Sequence, residues 1–225
     1  MKYLSSFILF TICTLALHAQ QKAKTEQLGD LTFGFASGQN TISAAYYKNW
    51  NLGKKQGFYI GTGVRLSTAF GKNQVFTSAP ASLASNKANT DSLLGTTTST
   101  YALNAILNLG YHISPKLDFG FNIDLIGFSF GPSSNRVFNG NGTLTNTTAK
   151  PTGMNILLVG NNDRGTLNSE FYLRYKVSNQ WGIKLAYQHF FTELTTTSKV
   201  QTVPVQNDRF RNITNLISFG VARHF

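Results

Sequence analysis

ITNLISFGVARHF, residues Ile213 to Phe225, closes the chain, and its alternation decides the fold. The odd positions carry Ile213, Asn215, Ile217, Phe219, Val221, Arg223 and Phe225; the even ones carry Thr214, Leu216, Ser218, Gly220, Ala222 and His224. Successive side chains of a strand point to opposite faces, so this is a strand with one mostly apolar side and one small or polar side. It stops on an aromatic residue with no polar tail, an unusual finish for a soluble domain.

The same alternation recurs upstream. Tyr101, Leu103, Ala105, Leu107, Leu109, Tyr111 and Ile113 share a face, opposite Ala102, Asn104, Ile106, Asn108, Gly110 and His112. After Ser114-Pro115-Lys116 the apolar phase resumes with Leu117, Phe119, Phe121, Ile123 and Leu125, against Asp118, Gly120, Asn122, Asp124 and Ile126. Two such runs joined by a short Pro-containing turn read as a hairpin. A second hairpin sets Leu167, Phe171, Leu173, Tyr175 and Val177 before Ser178-Asn179-Gln180, and Trp181, Ile183, Leu185 and Tyr187 after it. Its other face holds Asn168, Glu170, Tyr172, Arg174, Lys176, Lys184 and Gln188. An earlier strand places Phe58, Ile60, Val64, Leu66 and Phe70 against Tyr59, Gly61, Gly63, Arg65 and Ser67. Weaker strands at Asp30 to Ser37 and Thr41 to Asn49 bring the count to eight.

An apolar face can be the core of a soluble sandwich or the lipid face of a barrel, and alternation alone does not separate them. Length does: these strands run about 10 to 14 residues, against about 5 to 6 in globular proteins, and a tilted membrane-spanning strand needs about 9 to 11. Tyr101, Tyr111, Trp181, Tyr187, Phe191 and Phe225 sit near strand ends, where a membrane barrel carries its aromatic girdles. The connections alternate as well. Trp50 to Gln56, Ser114 to Lys116 and Ser178 to Gln180 are short; Gly71 to Ser99, Gly131 to Gly165 and Thr192 to Asn212 are long. Long structureless loops are rare in compact soluble domains, whereas short turns at one end and long loops at the other are how outer-membrane barrels are organised. The expected fold is therefore all-β, an antiparallel up-and-down transmembrane β-barrel of eight strands; an extracellular sandwich is the alternative.

Composition agrees. Charged residues are 13% of the chain, with 20 Gly and 18 Phe, against about 25% charged in soluble domains. The formal net charge is +11. No apolar run of 18 or more residues follows the N-terminal segment, so no spanning helix is expected. That N-terminal segment has a basic Lys2, an uncharged apolar run from Leu4 to Leu17 and a small residue, Ala19, before Gln20. This is the pattern of a cleaved secretory signal peptide, residues 1–19. A short periplasmic segment, 20–29, and the barrel, 30–225, are expected to follow. Cys13, the single cysteine, falls within the signal peptide, so the exported chain has no disulfide and no Cys-ligated metal.

With the final strand and the Tyr172 to Tyr187 hairpin in view, the chain resembles the small eight-stranded outer-membrane barrels of the OmpA/OmpX type. Ile217, Phe219, Val221 and Phe225 match the alternate apolar positions and final aromatic of their C-terminal assembly signal. Arg223 departs from it and suits only the interface, where a long side chain can snorkel. The resemblance implies outer-membrane localisation in a Gram-negative cell. It also implies contact with outer-membrane lipid and lipopolysaccharide, and recognition of the last strand by the assembly machinery. A monomer is expected, without nucleic acid, cofactor or metal.

Candidate chemistry is sparse. Parity turns Arg65, Lys176, Arg174 and Lys184 inward, with Asp124, Glu170, Asn104 and Asn108. In a barrel this narrow such groups are expected to pair as a lumen polar network with Gln188, because an unpaired charge there is costly. A narrow pore biased to anions is the alternative, since bases outnumber acids in that set. Some barrels of this shape modify lipid A with a His and a Ser or Asp. His112-Ile113-Ser114 has that local spacing, but it adjoins a short turn, and the sequence places no acid to orient the imidazole. His189 and Glu193 near the far end of their strand read as packing. Phe138 to Thr148 reads as a solvated polar loop. Lys72, Lys87, Arg136, Lys150, Arg164, Lys199, Arg209 and Arg211 give the loops an excess of base suited to anionic lipopolysaccharide, with Arg209 and Arg211 as the expected contacts. The reading is a non-enzymatic outer-membrane barrel with an envelope structural, surface-interaction or narrow-permeation role. Loop-mediated binding or adhesion is the second possibility, and lipid A modification a remote one.

Overall fold

The computed structural model describes residues 25–140, 142–158 and 162–225; the signal-peptide segment 1–19 lies outside them. Eleven strands are formed: β1 Thr25–Ala36, β2 Gln39–Leu52, β3 Phe58–Ser78, β4 Ser92–His112, β5 Leu117–Phe130, β6 Ser134–Gly140, β7 Thr143–Pro151, β8 Met154–Ile156, β9 Leu167–Lys176, β10 Trp181–Thr196 and β11 Arg209–His224. Among the described residues helix is confined to one turn, α1 (Ala81–Ala84), and a 3-10 turn at Lys87–Asn89. Among the described residues no helix is long and apolar enough to cross a membrane.

Eight of these strands close on themselves. β1 pairs with β2, β2 with β3, β3 with β4, β4 with β5, β5 with β9, β9 with β10 and β10 with β11, all antiparallel. β11 returns to β1, with Leu31 opposite Val221 and Phe33 opposite Phe219. This is an up-and-down β-barrel, and closure leaves its ladder without an edge, which a sheet in hydrocarbon must achieve. The pairing of β1 starts at Thr25, so residues 25–29 belong to the barrel rather than to a free N-terminal segment.

The ring is inside out relative to a soluble protein. On β11, Ile217, Phe219 and Val221 are exposed while Leu216, Ser218 and Ala222 are buried. On β3, Phe58, Val64 and Leu66 are exposed around a fully inward Arg65. At the end carrying the short turns, Phe58 packs on Tyr111 at 4.7 Å, and Arg223 lies over Trp181 and Phe225 at 5.6 and 5.3 Å. The cation of the last strand thus stands on two rings of the aromatic belt. At the opposite end Tyr101 stacks on Phe130 at 5.5 Å. The turns use one device twice: Ser114 Oγ accepts from the N–H of Leu117, and Ser178 Oγ accepts from the N–H of Trp181, each at 3.1 Å.

β5 breaks the expected alternation. The β4–β5 register shifts between Ala105 and Ile106, leaving Leu125 as an extra residue in β5. A bulge moves all later side chains to the other face. Ile126, read from sequence as inward, is therefore exposed with Phe128 and Phe130, while Ser129 is buried. The adjacent pair Leu125-Ile126 is where two apolar phases meet.

The long connections are not loops for most of their length. β3 and β4 stay paired up to Thr77 opposite Ser92, far past the Gly71 and Ser99 limits suggested by sequence. Their ladder skips Asn73 and Thr96, and Asn73 adopts φ of +49°, a left-handed conformation that Asn tolerates better than most residues. Across this break the inward face changes parity, from Ala69 and Gly71 to Gln74, Phe76 and Ser78. Phe138 to Thr148 is likewise not an open loop: β6 and β7 form a hairpin from Ser134↔Ala149 to Gly140↔Thr143. Gly142, in its turn, has φ of +72°, a left-handed conformation that glycine adopts at no steric cost.

That hairpin completes a second ring beyond the first. β3 pairs with β11 (Ser78↔Phe210), β4 with β6 (Leu93↔Phe138), β7 with β10 (Thr195↔Lys150), and β3–β4, β6–β7 and β10–β11 continue. Six strands close where eight did below, because the β1–β2 hairpin has ended at Ser37-Gly38 and β5 and β9 have dropped out. Phe76, Leu93, Phe138, Ala149, Leu194 and Phe210 meet at the centre, one from each of the six strands, and all are buried. Phe138 and Phe210 contact edge to face at 5.9 Å.

Candidate functional site

The lumen of the eight-stranded ring holds a dense set of buried polar and charged side chains. It is positioned by strand parity: at each level the residue facing in alternates with one facing out. Arg65 on β3, Asn104 and Asn108 on β4, Asp124 on β5, Glu170 and Arg174 on β9 and Lys184 on β10 all lie inside and are buried. They fall into three connected groups. In the first, Asp124 accepts from Arg65 Nη2 at 2.6 Å, from Asn104 Nδ2 at 2.8 Å and from the Asn168 N–H at 2.8 Å. Arg65 spends its remaining donors on Asn122 Oδ1 and the Asn168 carbonyl.

In the second group, Lys184 Nζ donates to Asp30 Oδ2 and to Glu170 Oε1, both at 2.8 Å. Gln188 and Asn122 also donate to Glu170, and Tyr47 to Asp30, each at 2.9 Å. The third lies toward the short turns. Arg174 Nη2 reaches Asp118 Oδ2 at 2.9 Å, and the hydroxyls of Tyr59 and Tyr172 bond each other at 2.9 Å, with Tyr172 donating to Asn108. Pairing is what makes such burial tolerable, since an isolated ion here would have neither water nor partner.

The charge balance departs from the sequence reading. Parity gave more bases than acids, but Asp30 also faces in, and Asp118 is fully buried. Lys176 stands at the mouth, 4.0 Å from Glu26. The buried bases Arg65, Arg174 and Lys184 thus meet the carboxylates of Asp30, Asp118, Asp124 and Glu170, and no excess of base lines the lumen. Asp30 was missed because the sequence signal for β1 is weak and the residue lay at its assumed start.

Above these groups the filling turns apolar. Ala69, Phe190 and Leu216 pack together across the lumen, and the six-residue apolar centre of the second ring closes the end above them. Polar and apolar layers fill the interior in succession.

The histidines occupy ordinary places. His112 Nδ1 is 2.7 Å from Asp118 Oδ1, so an acid does orient this imidazole, contrary to the sequence reading. The same carboxylate is bound by Arg174, and Ser114 Oγ serves its turn, so no nucleophile joins the pair. His189 Nδ1 contacts Asn215 Oδ1 at 2.6 Å and its ring packs on Phe191. Among the described residues no group of three or more His, Cys, Asp or Glu could hold a metal.

At the loop end, Arg209 and Arg211 are not free to meet an external anion. Both bind Glu193, at 2.8 and 2.9 Å, and Glu193 is fully buried between them. Arg136 points into the second ring and is buried. Lys72, Lys87, Lys150 and Lys199 remain exposed there. Ile217, Phe219, Val221 and Phe225, read as the assembly signal, lie outside the ring on β11 and are exposed.

No protein-family model matches the chain, and no curated protein matches its sequence. Among solved structures it is similar to a de novo designed transmembrane β-barrel, at 9% identity and TM-score 0.37 over 89% of this chain and 95% of that one. Neisserial surface protein A is similar at 9% identity and TM-score 0.39, over 89% and 96% of the two chains. Ail, the attachment invasion locus protein of Yersinia pestis, is similar at 8% identity and TM-score 0.34, over 91% and 100%. Likenesses this distant add nothing to the closed eight-stranded ring, which itself fixes the fold as a small β-barrel of the outer-membrane kind.

Proposed function

We propose that this is a non-conducting, non-enzymatic outer-membrane barrel whose working part is the rigid β-structured neck it holds beyond the membrane. One observation carries the reading: buried, paired charges occupy the eight-stranded ring and a buried apolar cluster occupies the six-stranded one. Eight strands leave room for side chains and little else. A role in envelope structure or surface interaction fits such a body; permeation and lipid A chemistry do not use what it has. β3 and β4 are 21 residues each, about twice what spans a bilayer, so about half of each stands clear of the lipid. In an outer membrane the short turns face the periplasm and the neck faces outward.

The test is electrical. Purified protein in planar bilayers is expected to give no stable single-channel step at moderate voltage. A reproducible conductance, altered in R65Q or R174Q, would refute the filled-lumen reading.

A further inference from the structure

Arg223 is a base that neither the lumen network nor the neck uses. It stands exposed on the outer face of β11, across from Trp181 of β10 and Gly29 of β1, at the level where the Ser178–Gln180 turn leads into β10. The chain's nine Asp and Glu residues all lie in the described part, and none pairs with it. Its guanidinium is held instead over the rings of Trp181 and Phe225. Cation–π contacts fix the place of a cation without cancelling its charge. On the β1 side the Phe225 ring covers Gly29, 3.5 Å from where a Cβ would stand, so aromatic surface flanks Arg223 on both sides.

The same outer face is hollowed just above. A recess of about 410 Å³ spans β5, β9, β10 and β11, lined outward by Leu117, Leu173, Tyr175, Ile183, Leu185 and Phe219. Its lower edge is the row Tyr175, Ile183, Val221, which follows the row of Trp181 and Arg223 two residues further along the strands, about 7 Å nearer the membrane centre. Base and recess thus share one face and one approach from the lipid. We infer that together they hold one anionic phospholipid of the leaflet at the short-turn end, its phosphate on Arg223 and an acyl chain in the recess. An Arg at this depth reaches the head-group plane along its apolar stem, and its forked donors match a pair of phosphate oxygens. The anionic head group supplies the counter-ion that no acid of the chain provides. The site lies outside the ring, so it is independent of the filled lumen and of the neck. It also gives a use to the one residue of the last strand that departs from the apolar alternation.

The experiment is native mass spectrometry of the folded, delipidated protein released from detergent micelles. It is titrated with palmitoyl-oleoyl phosphatidylglycerol or with phosphatidylcholine of the same chains. The parent is expected to retain one phosphatidylglycerol ahead of all further adducts, and to retain it better than phosphatidylcholine. R223Q should weaken that first adduct about tenfold or more, as loss of a charge-assisted contact requires. Because R223Q changes the strand that closes the barrel, L185W is the second variant. Leu185 is exposed on β10 and lines the recess, so the larger ring fills the hollow and leaves Arg223 in place. It should weaken the first adduct of both lipids while heat-modifiable folding stays as in the parent. A statistical ladder of adducts with no preferred first one, equal retention of the two lipids by the parent, or parent-like retention by R223Q or L185W overturns the proposal.

Discussion

Asp124 is the residue on which the lumen network turns. It accepts from Arg65, Asn104 and the Asn168 N–H at once. Asp124→Ala would leave the Arg65 guanidinium buried without its anion, a loss expected to cost about 3–5 kcal/mol. Urea unfolding in micelles should show it. Replacing Arg65 and Asp124 together by Met and Leu should recover most of that loss, because two apolar groups leave nothing unpaired. A double variant no more stable than the single one would contradict this account. The inward set Arg65, Asn104, Asn108, Asp124, Glu170, Arg174 and Lys184 could be placed from sequence because parity is a covalent property of an extended chain. Partners could not: Arg65 meets Asp124 across two strand seams, and the final spacing of strands around a ring is not written in any one of them. The acid at His112 was missed for the same reason. Asp118 lies across the turn, in register with His112.

At the scale of the element, the neck is the discriminating structure. Phe76 and Phe210 are fully buried in its centre, and Phe→Ala in such a site costs about 3–5 kcal/mol. The loss should be local, because the eight-stranded ring below has its own ladder and its own filling. Hydrogen exchange in Phe76→Ala should therefore quicken across residues 134–151 while β1, β2 and β9 stay protected. Uniform loss of protection would mean that the two rings are one cooperative unit. The strands of the lower ring were legible from sequence, and those of the neck were not. β3 and β4 change inward phase where the ladder skips Asn73 and Thr96, and an alternation that reverses reads as an alternation that ends. β6 and β7 were hidden by composition, since a Thr- and Asn-rich run looks like a solvated loop until its partner is known. Thr is in fact a good strand former. The bulge at Leu125 is the one reversal that leaves a visible trace, in two adjacent outward apolar residues.

For the whole molecule, the last strand ties the rings together. β11 pairs with β10 along nearly its whole length, with β1 over the lower half and with β3 above. Phe225 ends it in the short-turn belt, 6.3 Å from Tyr46. Phe225→Ser should lower the yield of membrane-inserted, heat-modifiable protein several-fold while leaving export intact; unchanged insertion would remove this residue from the assembly pathway.

The two partners of β11 also impose an order of events. Until the final strand has arrived, the edge of β3 that faces away from β4 has no partner at Thr77 and Ser78, and the neck lacks one of its six walls. The cap therefore cannot be sealed ahead of the vessel beneath it. A chain caught before closure presents loose hairpins at its far end, and only a completed barrel presents a finished surface. The neck is therefore complete only when the barrel is complete.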